Sequence, residues 1–182
     1  KNFGKFEQSI KYYTEVLNKL EKDTSSYADT LYRRGGSYER IENFEMSDRD
    51  LLDALIISPN DPYILNYLAY SWLERGINLQ TSIDMLTRAY KNNENNAYIT
   101  DSLGWAYYLA GNFILAEKYI NQALQIRPND PVIMDHYGDI LWMLNKKLQA
   151  KYYWKNIIKN KHLDDLNEDE IKLKVLKGLN KS

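Results

Sequence analysis

The chain has 182 residues, of which 44% are hydrophobic and 13% aromatic. That content is enough for a packed core and argues against a disordered chain. The 24 Lys and Arg nearly balance the 25 Asp and Glu, and the resulting net charge of −1 argues against a nucleic-acid partner bound through its phosphates.

Composition also restricts the chemistry. There is no cysteine, so disulfides and thiol catalysis are excluded. Two histidines are too few for a zinc site of ordinary ligands. The longest stretch without a charged residue, Ser102–Ala116, is shorter than the roughly 18–20 apolar residues that a membrane span needs. Neither a metal, a cofactor nor a membrane span is therefore predicted.

The N-terminal segment, residues 1–23, predicts a single helix. Its apolar residues Ile10, Tyr13 and Leu17 are spaced by three and four, which places them on one helical face. We interpret the segment as the second half of a helix pair, in a fragment of a longer chain. We therefore expect Phe6, Tyr13 or Leu17 to leave an exposed apolar flank, through which the chain could self-associate.

Four segments of nearly equal length follow, each with two helical patterns around a polar turn. They cover residues 28–61, 62–96, 97–130 and 131–164. The third is the clearest, and its small, apolar and terminating positions are Leu103, Gly104, Tyr107, Ala116, Ile120, Ala123 and Pro128. Gly104 and Ala116 suit a close helix crossing, because a larger side chain would push the two backbones apart.

This pattern resembles the tetratricopeptide repeat, whose period is 34 residues. The resemblance implies an all-α fold, a right-handed superhelical solenoid of antiparallel helix pairs. It would hold about four and a half repeats, so residues 1–182 would form a single array. Residues 165–182 predict a terminal capping helix, in which acids lead and lysines trail as the helix dipole favours.

The first helix of each pair carries a second stripe of residues that faces away from the core. The resemblance implies that this stripe lines a concave, peptide-binding wall. The candidate binding residues on it are Tyr32, Asn66, Tyr70, Asp101, Trp105, Tyr108, Asp135, Asp139 and Trp142. Because three are acids and none is basic, the stripe predicts a segment with apolar side chains and a Lys or Arg. The alternative is that these aromatic residues pack between helices and leave a narrow cleft.

Two further features have simpler explanations. His136 lies beside Asp135 and near Asp139 in sequence, which is compatible with an acid–base pair, but a hydrogen-bonded or solvated helix histidine accounts for it. A basic ridge recurs every four residues on the last second helix, formed by Lys147, Lys151, Lys155 and Lys159. It would suit an acidic partner, although a solvated outer face explains it equally.

These observations favour a non-enzymatic scaffold that binds a protein or peptide partner. Two alternatives stay open: an assembly module that pairs through its open ends, and a repeat region that positions a catalytic domain outside this sequence. Three stretches, Asn66–Trp72, Asp101–Trp105 and Asp135–Asp139, also resemble bacterial envelope lipoproteins that act as protease adaptors. That resemblance would imply the periplasm or envelope, and the composition is equally compatible with the cytoplasm.

Overall fold

A computed structural model describes residues 3–160 and 166–179, and within those ranges every regular element is an α-helix. The helices are α1 (Phe3–Leu17), α2 (Ser25–Arg40), α3 (Phe44–Ile57), α4 (Pro62–Glu74), α5 (Leu79–Asn92), α6 (Ala97–Leu109), α7 (Phe113–Ile126), α8 (Pro131–Met143), α9 (Lys147–Asn160) and α10 (Glu168–Lys177). The predicted all-α fold is confirmed. The predicted boundary between residues 164 and 165 lies outside the described residues.

The helices pack as consecutive antiparallel pairs. Helix α2 packs on α3, α4 on α5, α6 on α7 and α8 on α9. The first helices of neighbouring pairs also touch, α4 with α6 and α6 with α8, and α10 packs on α9. The result is a solenoid in which α2, α4, α6 and α8 form one wall, which we call the inner surface.

The first helices of successive pairs begin at capping residues, which recur along the chain with the period of the repeat. The side chains of Asp61, Asn96 and Asp130 each accept hydrogen bonds from two backbone N–H groups of the following turn. These bonds satisfy donors that have no partner within the helix. Proline follows two of the caps, as Pro62 and Pro131, where its missing N–H costs nothing and its fixed φ suits the helix.

The turn between the two helices of a pair requires a left-handed residue. Glu42, Gly76, Gly111 and Asn145 occupy this position with φ of 63°, 68°, 75° and 62°. Glycine adopts that conformation without steric cost, and asparagine tolerates it better than most other residues. Asn145 lies 34 residues after Gly111, at the same position of the next repeat.

A small residue lies at the crossing of the two helices in the pairs from α2/α3 to α8/α9, and in three of these four pairs it is a glycine in contact with a side chain of the second helix. A Cβ atom on Gly104 would lie 2.7 Å from the side chain of Ile120. Thirty-four residues later, a Cβ on Gly138 would overlap the indole of Trp154. Ile120 and Trp154 are fully buried. The structure therefore confirms that the small residues mark the closest approach of the two helices.

Two features distinguish the N-terminal helices from the rest of the array. Arg34 stands where the repeat pattern has an apolar residue, and its guanidinium donates to both carboxylate oxygens of buried Asp50 at 2.7 and 2.8 Å. Leu17 is buried, so its predicted exposure is wrong, while Phe6 and Tyr13 are half-buried. Self-association through α1 stays a prediction.

We predict that Gly104→Leu destabilises the array, because the new side chain must occupy the space of Ile120. Overpacking of this kind costs about 1–3 kcal/mol, which corresponds to a fall in Tm of roughly 2–12 °C for a chain of this size. Thermal unfolding followed by circular dichroism measures it. Gly36→Leu is the control, because a Cβ there meets the outer end of Tyr67 at 3.3 Å. Equal losses in both variants would contradict the crossing assignment.

Candidate protein-binding surface

The nine candidate residues lie on the inner helices, but none of them is fully exposed. Three are buried acids, Asp101 at 4%, Asp135 at 8% and Asp139 at 6% exposure. The other six, all aromatic or amide side chains, are half-buried. The stripe is thus largely a packing surface between neighbouring first helices, which agrees in part with the narrow-cleft alternative.

Asp101 is bonded to a histidine of the next first helix. Nδ1 of His136 lies 2.9 and 3.0 Å from the two carboxylate oxygens of Asp101. Because a carboxylate can only accept, Nδ1 carries the proton in this pair. Sequence proximity had suggested Asp135 and Asp139 as partners of His136, whereas the bonded carboxylate comes from the preceding repeat.

Trp105 is engaged with two other rings. It stacks on His136 with a centroid distance of 4.2 Å and on Tyr108 with 4.6 Å. A segment that used Trp105 as an aromatic anchor would find much of the indole already covered. Trp105 therefore stabilises the inner surface more directly than it offers a binding platform.

Asp135 and Asp139 share a lysine from the last helix. Nζ of Lys174 in α10 donates to both oxygens of Asp135 at 2.9 Å and to Asp139 at 3.0 Å. No cation stands among the candidate residues of the stripe, and Lys174 was not predicted as their partner. Together, Asp101, Asp135, His136, Asp139 and Lys174 form what we call the inner polar cluster.

The cluster holds more carboxylate than cation. Burial and the neighbouring Asp135 raise the pKa of Asp139 to about 6, against the opposing effect of Lys174. Burial by itself would lower the pKa of His136, but Asp101 outweighs it, and Asp135 and Asp139 add to the rise. Three carboxylates therefore face one lysine and one histidine, and this excess of carboxylate favours the protonated forms of Asp139 and His136.

The N-terminal inner helices are joined by aromatic contacts instead. Tyr67 packs edge-on against Tyr32 at 5.6 Å, and its hydroxyl donates to Glu39 at 3.3 Å. Burial, followed by the nearby Glu74 and Asp101, raises the pKa of Tyr70. Asn66 has a buried side-chain oxygen without a hydrogen-bond partner among the described residues.

Trp142 lies against the end of α10. A Cβ on Gly178 would overlap the indole of Trp142, so the backbone at Gly178 sits directly on the ring. The ammonium group of Lys147 lies 5.2 Å from the same ring. The C-terminal end of the inner surface is thus covered by α10.

The opposite end is open. A cleft of about 740 Å³ lies between the end of α1, the first half of α2 and the start of α4. Two tyrosines of the inner surface line it, Tyr32 and Tyr63, together with the acids Asp29 and Asp61. Tyr63 is 52% exposed. Of the candidate residues, only Tyr32 is among those that line this cleft.

The described residues contain no group of three or more His, Cys, Asp or Glu side chains arranged to hold a metal ion. Within the same ranges, no helix is both long and apolar enough to cross a membrane.

Comparison with known proteins supports the repeat assignment. A tetratricopeptide-repeat family model matches residues 97–130. The TPR repeat-containing protein PA4667 of Pseudomonas aeruginosa is 29% identical over 133 residues, which is 73% of this chain and 20% of the relative. The chain thus spans one fifth of the length of that relative.

Solved structures share the overall fold. A crystal structure of MamA superposes with a TM-score of 0.70 at 20% identity, covering 94% of this chain and 92% of the other. MamA residues 41 to the end from Desulfovibrio magneticus RS-1 give a TM-score of 0.73 at 15% identity, covering 89% of each chain.

The paired helices, the 34-residue glycine contacts and the continuous inner wall define a helical-repeat solenoid. The family match identifies a tetratricopeptide repeat at residues 97–130, and the solved structures show that the chain shares the fold of an array of such repeats. Proteins built of this repeat typically act as interaction modules rather than as enzymes.

We predict that stability falls as pH rises, in two separable windows. A folded pKa of about 6 for Asp139, against 3.8 for the ordinary group, gives stability that is present at low pH and lost between about 4 and 6. The raised pKa of His136 gives stability that is present below 6.5 and lost as pH rises through the folded value. Urea unfolding from pH 4 to 8.5 measures both.

Each window has its own variant. Asp139→Asn should remove the pH dependence of the free energy of unfolding between about pH 4 and 6. His136→Gln, which keeps an N–H donor for Asp101, should remove the pH dependence above pH 6.5. A parent whose free energy of unfolding is constant or rises between pH 6.5 and 8.5 would contradict the account of His136.

Proposed function

We propose that this chain is a non-enzymatic scaffold that binds a protein segment along its inner surface, entering at the open cleft beside Tyr32 and Tyr63. The observation that carries the proposal is that this cleft is open and presents an exposed aromatic side chain, whereas the C-terminal end of the same surface is covered. Exposed aromatic residues in a concave surface are typical anchor points of protein interfaces.

The charge around the cleft favours a basic partner. Asp29 and Asp61 line it, and the one cation among the lining residues, Arg33, already pairs with Asp29 at 2.8 Å. The pKa of Tyr32 is raised, first by burial and then by Asp61, which reflects a negative local potential. An acidic tail would meet like charge here, and a segment with a Lys or Arg would meet opposite charge.

The expected affinity for a short segment is modest. Each buried apolar anchor contributes roughly 1.5–3 kcal/mol, and association itself costs at least about 4 kcal/mol. Two or three anchors therefore leave at most about 5 kcal/mol, which corresponds to a Kd of roughly 0.2 mM or weaker. A longer partner that follows the inner surface beyond the cleft would bind more tightly.

The test is a panel of short peptides with two apolar side chains and either a Lys, a neutral residue or a Glu, measured by calorimetry. We expect the Lys peptides to bind best. Tyr63→Ala should weaken their binding about tenfold, or about 1.4 kcal/mol, because it removes an exposed anchor. Tyr152→Ala is the matched control, an exposed tyrosine of a second helix at 63% exposure, and should leave the affinity unchanged.

Charge is tested at Asp29 because Asp101 and Asp135 are buried and their replacement would disturb packing. Asp29→Asn frees Arg33 and should shift the preference towards the Glu peptides. If acidic peptides bind best to the parent, the outer ridge of Lys147, Lys151, Lys155 and Lys159 is the better candidate. If Tyr152→Ala weakens binding and Tyr63→Ala does not, the binding surface is on the outer helices.

A further inference from the structure

We infer that α10 is an internal ligand of the inner surface, occupying its C-terminal end until a partner segment displaces it. This rests on the proposed function in one respect, namely that the inner surface receives a segment. The contacts are specific: Lys174 bonds Asp135 and Asp139, and the backbone at Gly178 lies on Trp142. Three residues identified from the sequence as partner-binding candidates are therefore already occupied.

The occupant has the chemistry predicted for the partner. The stripe of candidate residues predicts a partner segment with apolar side chains together with a Lys or Arg. Val175 and Leu179 of the C-terminal segment pack against the same buried apolar cluster as Trp142 does, while Lys174 supplies the cation. One short stretch thus presents a cation to the acids of α8 and two apolar groups to the neighbouring apolar cluster.

The attachment of α10 to the rest of the array is limited. Ile171 is its fully buried apolar side chain, whereas Leu173 and Leu176 are exposed at 42% and 74%. The helix has ten residues, and isolated helices shorter than about 12–15 residues are marginal in water. A displaced α10 would therefore lose its helical structure, so docked and released states are distinct.

The uncovered end would require another cation. Without Lys174, Asp101, Asp135 and Asp139 would face His136 as the remaining cationic partner in the cluster, with the hydroxyls of Tyr70 and Tyr108 and the carboxylate of Glu74 nearby. Buried carboxylates without a partner are strongly unfavourable. A segment that displaces α10 should therefore bring its own Lys or Arg, which makes this end selective for a basic side chain.

The test uses the full chain and a labelled synthetic peptide with the sequence of residues 171–179, Ile-Lys-Leu-Lys-Val-Leu-Lys-Gly-Leu. Lys174→Met keeps the aliphatic stem and removes the internal cation. We expect this variant to bind the peptide about tenfold more tightly than the parent does. Lys177→Met, at an exposed lysine of the same helix, should match the parent. A peptide with Met in place of its own central Lys should show no gain.

A second measurement needs no variant. In the free parent, Lys174 should be acylated much more slowly than Lys172 and Lys177, as site-resolved mass spectrometry reports, and saturating peptide should raise its rate towards theirs. The inference is overturned if Lys174→Met binds no better than the parent, or if Lys174 is acylated as fast as Lys172 in the free chain.

The two proposals fail in distinguishable ways. Tyr63→Ala should not alter the effect of Lys174→Met, because the two residues lie at opposite ends of the inner surface. If Lys174→Met gives no gain in peptide binding while Tyr63→Ala still weakens binding, only the proposal that α10 is an internal ligand is rejected. If Tyr63→Ala has no effect on binding while the Lys174 effect remains, the open cleft is rejected as the entry site. In that case α10 still stands as the occupant of the C-terminal end of the inner surface.

Discussion

The structure depends on the close crossing of the two helices in each pair. Gly35, Gly104 and Gly138 place backbone directly against side chains of the following helix, and fully buried Ala69 takes the same position in the pair between them. A crossing this close fixes the angle between the helices through packing rather than through polar contacts. Because the crossing recurs at the repeat period, the first helices of successive pairs come side by side in a constant register.

That register explains the polar contacts along the inner surface. His136 bonds Asp101 across 35 residues, Lys174 bonds Asp139 across 35, and Tyr67 packs against Tyr32 across the same separation. Helices α4, α8 and α10 therefore each contact the preceding helix of the inner surface through a residue one position beyond a full repeat. The inner surface is a series of such contacts, aromatic at its N-terminal end and ionic at its C-terminal end.

Much of this architecture could be predicted from local sequence. The glycine and alanine positions, the Asp-Pro caps and the turn residues act within one helix pair, where spacing along the chain determines which groups meet. The pairing within the polar cluster could not, because it depends on how neighbouring pairs stack. Asp135 and Asp139 lie near His136 in sequence, whereas stacking brings Asp101 to it. The separation of 35 residues is a signal that could have identified Lys174.

The same stacking determines what the inner surface can offer a partner. Side chains that the sequence suggested as partner-binding groups, such as Trp105 and Asp101, instead contact neighbouring helices. The accessible groups lie at the ends of the inner surface, where this series of contacts stops. At the N-terminal end an open cleft carries Tyr63 and Asp29. At the C-terminal end the contacts continue into α10, whose lysine completes the charge balance of the buried carboxylates.

The central claim, that α10 completes the inner surface through a buried ionic contact, is tested most directly by a double-mutant cycle on unfolding. Lys174→Met, Asp139→Asn and the double variant give the coupling free energy between the two side chains. The account predicts a favourable coupling of about 1–3 kcal/mol, with near-additive effects for the exposed pair Lys172 and Glu168. Additive effects of Lys174→Met and Asp139→Asn would contradict it.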